Sequence, residues 1–334
     1  DFEDISFISE EDFYLISKRS KVDVGDIIMP MIGTIGNPII LYRDDFAIKN
    51  VALIKKSNNL NNQFLLNSLK SKAFYRYLHR ENAGGTQKFI ALGVIREFLF
   101  NSPTIEEQKK IGDLFRKIDG LIEKQEDKVA KMEAFKKSML QKMFPKKGDL
   151  VPEFRFGGFD GEWLPMFLKD LVYSEYKGKA MMDKLILGGE TEYLDTERLN
   201  GGTPILVDND PDTTYNDILI LWDGSKAGAI YTNFEGILGS TLRGFKINDG
   251  NDSYFIYSFL KMNENLIENK YRTPNIPHVV KDFSKVFEIK VPSLEEQEKI
   301  GQFFKNLDTQ IENEEKLLDS YKMMKKSLLQ KMFV

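Results

Sequence analysis

The sequence has no cysteine, only two histidines and only two tryptophans in 334 residues. Without cysteine there is no disulfide framework and no thiolate-bound zinc or iron–sulfur site, and nothing asks for an oxidising compartment. His79 and His278 stand 199 residues apart and lack ligand spacing, so neither a metal site nor a histidine-centred dyad is expected. No apolar run approaches the ~20 residues that span a bilayer. The opening residues DFEDISFISE are acidic and polar where a signal peptide is basic and then apolar. A cytoplasmic protein with no membrane partner is the expectation, and the missing initial Met suggests a processed or trimmed chain.

Excess positive charge is also lacking. There are 47 Lys and Arg against 51 Asp and Glu, a net charge of −4. By segment the balance is +1 over residues 1–103, +2 over 104–144, −6 over 145–292 and −1 over 293–334. With no basic arm, any contact with phosphate must come from local patches.

What the chain does have is a long repeat. Residues 103–144 recur without a gap as 292–333, with 20 of the 42 positions identical at an offset of 189. The sequence between the copies is dissimilar, so a block was duplicated and its middle diverged. Each copy opens with Pro and a hydroxyl residue, and Thr104 with Glu107 and Ser293 with Glu296 read as capping boxes. Two helices of about 40 residues, ~60 Å at ~1.5 Å per residue, are expected. Their basic ends suit the negative end of the helix dipole.

Steps of four and three run down both helices, eight of the ten positions in each being apolar. This is a coiled-coil seam. The seam begins with Ile111, Phe115, Ile118 and Ile122 in the first helix and with Ile300, Phe304, Leu307 and Ile311 in the second. Its polar exceptions fall on matching rungs, Gln125 with Glu314 and Lys136 with Lys325. A parallel pair would set the two lysines face to face, so an antiparallel pair is expected. Its anticipated contacts are Lys136 with Glu314 and Lys325 with Gln125, the alternative being that the lysines snorkel from the edge of the seam.

The divergent parts share a plan. Strand-like Asp26–Met29 and Asp217–Ile220, offset by 191, each lead into a glycine turn, Gly33–Gly36 and Gly224–Gly228. Each part continues with a Leu- and aromatic-rich helix (64–78 and 254–266), a polar loop (83–88 and 270–278) and an aromatic strand into the long helix. The fold class is therefore α/β, α+β in detail: two domain copies separated by two long helices. The boundaries are 1–102, 103–145, 146–291 and 292–334. The second domain begins near Val151, and its counterpart in the first copy would lie ahead of Asp1, so the first domain is expected to be incomplete at its start.

The twin Pro-x-x-Glu-Glu-Gln-x-Lys-Ile-Gly runs at 103–112 and 292–301 carry a resemblance. So do the twin Lys-Lys-Ser-x-Leu-Gln-Lys-Met-Phe ends at 136–144 and 325–333, and the opening Val151-Pro-Glu-Phe-Arg-Phe-Gly-Gly-Phe with Trp163. The chain resembles the specificity subunit of type I DNA restriction–modification systems over essentially its whole length. That resemblance implies two target-recognition domains, each reading half of a split sequence in double-stranded DNA, held apart by an antiparallel coiled coil. It implies docking of a modification subunit, normally in two copies, and of a restriction subunit. S-adenosylmethionine, ATP and magnesium would serve those partners, with no cofactor in this chain. A ~60 Å spacer would span roughly 18 base pairs at ~3.4 Å each.

The residues agree with a non-enzyme. Asn37-Pro38-Ile39 fails the Asn-Pro-Pro-aromatic pattern of an adenine methyltransferase at the second proline, and no P-loop is present. Pro211-Asp212 with Glu288-Ile289-Lys290 imitates a nuclease pattern but reads as chance plus an alternating strand. Loop residues able to bond bases or phosphates are the candidates. In the first domain these are Thr34, Asn37, Lys49 and Asn50, with Gly85, Thr86, Gln87 and Lys88 of the run from Gly84. In the second they are Ser225, Lys226, Thr241, Arg243, Lys270, Tyr271, Arg272, Thr273, Asn275 and His278. The competing reading is a coiled-coil scaffold that binds proteins and no DNA, which the acidic balance favours.

Overall fold

The structure, a computed structural model, describes residues 7–32, 36–81, 89–273 and 277–333. It divides into two units, 1–128 with 314–334, and 129–313. The elements of the first are α1 (Glu10–Ser20), β1 (Ile27–Pro30), β2 (Ile39–Ile40), β3 (Val51–Ile54), α2 (Asn62–Leu69), α3 (Lys72–Glu81) and α4 (Leu92–Arg96). The long helix α5 (Ile105–Met143) follows.

After α5 come β4 (Leu164–Phe167), α6 (Leu168–Leu171), β5 (Val172–Lys177), β6 (Leu187–Leu194), α7 (Thr196–Leu199), β7 (Leu206–Val207) and β8 (Ile218–Leu221). The chain continues through β9 (Ile230–Tyr231), β10 (Ile237–Leu238), β11 (Leu242–Ile247), α8 (Ser253–Met262), α9 (Glu264–Lys270), α10 (Phe283–Val286) and β12 (Glu288–Val291). It ends in the second long helix, α11 (Leu294–Met332).

The shared plan read from sequence is present. In the first unit β1 lies between β2 and β3, both antiparallel to it. In the second, β8 lies between β9 and β11, again antiparallel, and β5 adds a fourth strand outside β11. The aspartate before each central strand is tied to a lysine at or just past the end of an antiparallel neighbour, β3 or β11: Asp26 to Lys55 at 2.5 Å, and Asp217 to Lys246 at 3.2 Å. Ile27, Met29 and Ala52 point from the first sheet onto Leu65, Leu66 and Phe74 of α2 and α3. In the second unit Ile218, Ile220 and Phe245 pack on Phe255, Ile256 and Leu260 of α8 in the same way.

Three expectations change. The single helix after the sheet is two helices in both copies, α2–α3 and α8–α9. In the first, the Ser71 hydroxyl caps a new helix at Phe74 N–H, 3.2 Å away. In the second, Asn263 turns its amide back onto the Phe259 carbonyl at 2.8 Å. Local side-chain bonding of this kind competes with helix continuation. The strand expected before each long helix forms only as β12, which pairs with β4. Residues 97–102 have no strand partner among the described residues, and Phe98 and Phe100 instead pack with Phe74 and Phe64. Finally, the Thr104 hydroxyl accepts from Glu107 N–H at a long 3.4 Å, whereas the buried Glu296 carboxylate is gripped by Arg155 through two 2.7 Å bonds and does not reach back as a capping box would.

Both long helices are 39 residues and antiparallel within each unit. In the first unit Phe115 packs on Phe333, and Gln125 meets Glu314. In the second, Phe135 packs on Phe303, and Phe144 stacks on Phe304. Phe115, Ile118, Ile300, Phe304, Leu307 and Ile311 are buried, and Ile111 and Ile122 are half-buried. The polar partners differ from those anticipated. Lys136 pairs with Asp308, and Lys325 with Asp119 at 2.5 Å. These are one contact in both copies, since Asp308 and Lys325 are Asp119 and Lys136 moved by 189. Gln125 and Glu314 bond to each other. The expected register missed aspartates one position off the seam, whose carboxylates still reach the lysines crossing it.

The repeated run at the head of each long helix forms a joint to its own domain. Gln108 is buried; its Oε1 accepts the Asn61 N–H at 2.9 Å and its Nε2 donates to the Pro103 carbonyl at 2.9 Å. Gln297 repeats this with Asp252 N–H at 3.1 Å and the Pro292 carbonyl at 3.0 Å. Asn61 and Asp252 are the N-caps of α2 and α8, bonding Phe64 and Phe255 N–H through their side chains. One turn on, a side chain at Gly112 would place Cβ 2.6 Å from Asn61 Oδ1, and one at Gly301 would strike Asp252 Oδ1.

Candidate functional site

In each unit the segment that leaves the central strand toward the glycine turn meets the segment that follows the polar loop. After β8, Trp222 donates its N–H to Thr241 O at 2.8 Å and accepts from Val279 N–H at 2.9 Å. Asp223 bridges His278, and Gly224 N–H donates to Pro277 O at 3.0 Å. The first unit repeats the joint: Ile90 N–H donates to Met31 O at 2.9 Å, and Ile32 bridges Phe89. Gly224 has φ +120°, a conformation only glycine adopts without strain, so the turn can fold back on the loop.

This places most second-domain candidates together. Arg272 Nη1 donates to the Ser225 carbonyl at 2.9 Å and pairs with Glu268 at 3.0 Å, tying the loop to the turn. The Ser225 and Lys226 side chains are exposed, as are Thr241 and Lys270. Thr273 N–H donates to His278 O, and the Thr273 hydroxyl lies 3.0 Å from His278 Nδ1. Arg243 lies on β11 with its guanidinium 3.6 Å from the centre of the Trp222 ring, and it pairs with Glu175 at 2.7 Å. That stack fixes the residue that leads from β8 into the turn. Tyr271 sits apart, its ring packed on Phe283 and Phe287 at 5.6 and 5.4 Å, so it serves the core. Asn275 lies outside the described residues. Among the described residues, Lys226 and Lys270 are the cluster's cations without an ion-pair partner.

In the first domain Thr34, Gly85, Thr86, Gln87 and Lys88 lie outside the described residues. Asn37 is exposed just ahead of β2. Lys49 and Asn50 line a cleft of about 720 Å³ along β3 with Lys18, Arg19, Lys21, Lys55 and Arg96. Sequence reasoning missed Lys18, Arg19, Lys21, Lys55 and Arg96. The run Lys18-Arg19-Ser20-Lys21 was a visible local patch, but only folding brings Arg96 to it. Asp23, also in the cleft, is held below the usual carboxylate range by its bond to Lys55. Burial works to raise Asp26, but Lys55 and the Lys56 and Asp23 N–H groups outweigh it and leave it lowered.

The nuclease-like residues do separate structural work. Asp212 accepts from Leu238 N–H at 2.8 Å, and Lys290 donates to the Lys146 and Asp149 carbonyls at 3.1 and 2.5 Å. Among the described residues no group of three or more His, Cys, Asp or Glu could hold a metal ion, and no helix is long and apolar enough to cross a membrane.

Comparison with known proteins gives one family. The model of the type I restriction modification DNA specificity domain matches residues 5–133 and again 160–321. A curated relative, the type I restriction enzyme MjaVIII specificity subunit of Methanocaldococcus jannaschii, is 33% identical over 181 residues, 52% of this chain. The match spans 42% of that relative's length. Among solved structures, the S subunit of a type I restriction–modification system from M. genitalium superposes with a TM-score of 0.69 at 17% identity, covering 93% of this chain and 83% of that one. A chain from a structure described as the basis of complex assembly and conformational transition of the type I R-M system gives 0.56 at 16% identity, covering 92% and 81%.

Proposed function

The chain belongs to the type I restriction modification DNA specificity family, and on that premise we propose that it is the DNA-reading subunit of such a system. Each domain reads one half of a bipartite target through its paired turn and loop, and the antiparallel helices set the separation. The observation that carries this reading is that two domains of divergent sequence keep one loop junction, Ile32 with Phe89 and Asp223 with His278, while the residues around it differ. A fixed frame with variable side chains is what reading different bases demands.

The second-domain cluster offers the chemistry. Lys226 and Lys270 can meet phosphate, while Ser225, Thr241 and Thr273 carry hydroxyls suited to base edges. Arg272, already bonded to Ser225 and Glu268, holds the two segments in register. Lys49, Arg19 and Arg96 in the first-domain cleft add a basic strip for backbone phosphate, which offsets the net negative charge locally. Methyl transfer and cleavage belong to modification subunits, in two copies, and to a restriction subunit. S-adenosylmethionine, ATP and magnesium act there, in the cytoplasm, and this chain is non-catalytic.

The test is a gel shift of the chain assembled with its modification subunit, on random and selected DNA across a salt series. Enrichment of one split sequence with a steep salt slope supports the proposal. Binding that ignores sequence and salt would point to a protein-binding scaffold.

A further inference from the structure

The repeated Gln and Gly at the head of each long helix touch no turn or loop of the candidate site, yet they sit in the same joint twice. Gln108 and Gln297 each bond the backbone N–H of a domain helix's N-cap residue and the carbonyl of the Pro that precedes their own helix. Both are buried, at 2% and 1% exposure. Gly112 and Gly301 let the helix approach that same cap to a distance no side chain permits. Each long helix is therefore locked to its domain at a hydrogen bond and, one turn later, at a steric contact.

Two contacts separated along a helix fix direction as well as position. In the second unit they act together with the packing of Phe255 against Ile300 and Phe304 and the bond from the Tyr254 hydroxyl to Asp308 at 2.7 Å. The surroundings differ between the copies while the joint does not: Gln108 also donates to the Ser102 hydroxyl, and Gln297 to the Asn251 side chain. The cap itself is Asn61 in one and Asp252 in the other. The shared part is thus the geometry of attachment.

We propose that Gln108 with Gly112, and Gln297 with Gly301, are positioning residues that set the tilt of each recognition domain on its helix, and through it the number of base pairs accepted between the two half-sites. This rests on the DNA-reading function proposed above. A tilted domain meets DNA further along the duplex or on another face, so errors at the joint appear as altered spacing while the bases read in each half stay the same.

The experiment compares the intact methyltransferase complex carrying wild-type chain, Gln297→Leu, Gly301→Ala, or Gly301→Ala with Asp252→Gly. The substrate is a DNA library holding both half-sites with spacers of every length, and methylated products are sequenced. Wild type is expected to choose one spacer length. Gln297→Leu and Gly301→Ala should keep both half-site sequences but reduce the preference for that length over its neighbours by about tenfold. Removing the cap side chain in the double variant withdraws the two atoms an alanine would strike hardest, leaving Phe255 N at 3.1 Å, at little cost to the cap, and should restore most of the preference. Unchanged spacing in both single variants, or methylation lost equally at every length, would overturn the proposal, the latter assigning the joint to stability alone. If wild type itself selects no paired half-sites, it is the DNA-reading function that fails.

Discussion

Gln125 donates its side-chain amide to both the carboxylate and the main-chain carbonyl of Glu314, at 2.6 and 3.0 Å. The two residues occupy the same rung of the repeated helix, 189 positions apart. Antiparallel pairing brings a rung opposite its own equivalent only at the centre of the pair, and identical residues there would set like against like. Gln opposite Glu resolves this, with Lys128 adding an ion pair to Glu314 at 2.7 Å.

The substitution Gln125→Glu should therefore lower the thermal midpoint of the first unit at neutral pH. In the native chain Lys128, then Gln125, hold Glu314 below its ordinary value near 4.5. That contribution is present above 4.5 and fades as pH falls through the lower folded value. In the variant, two facing carboxylates favour protonation, so relief comes as pH falls. Melts at pH 7 and pH 4 should show the deficit shrinking in acid.

Among the described residues, Arg155 and Glu296 form the most enclosed ion pair of the second unit, with side chains 14% and 1% exposed. Arg155→Met strands the buried carboxylate and should cost about 3–5 kcal/mol. Adding Glu296→Gln should recover part of it. Urea unfolding of the two variants measures both steps.

Asp252 does at the second joint what Asn61 does at the first, but as a charged group. Burial first, and Glu298 as well, push its carboxyl up from the ordinary value near 3.8. A raised folded value means its contribution is complete at low pH and is lost as pH climbs through that value. Asp252→Asn keeps the cap oxygen and should raise the unfolding midpoint at pH 7, with the gain vanishing toward pH 3. Equal melting of the two proteins at pH 7 would refute this.

Much of the fold was legible because it is written twice. Heptad spacing marks the seam, and all ten predicted seam positions of the first long helix, from Ile111 to Met143, are buried or half-buried. The loop junctions follow from glycine turns and polar runs at matched offsets. Seam partners were not legible: Asp119 and Asp308 lie one position off the apolar pattern, and only the register shows that they reach Lys325 and Lys136. The joint was equally hidden, since buried Gln108 reads in sequence as one more polar residue in a charged first turn. Tyr271 was ambiguous because an aromatic in a polar loop suits base stacking and core packing alike, and here Phe283 and Phe287 receive it.

The most direct test of the central claim sequences the sites methylated by complexes carrying Lys226→Ala or Arg272→Ala. The account predicts that one half of the bipartite target relaxes or weakens, while the other half and the spacing stay fixed. Relaxation of both halves together, or methylation at the wild-type sites with undiminished selectivity in both variants, would contradict it.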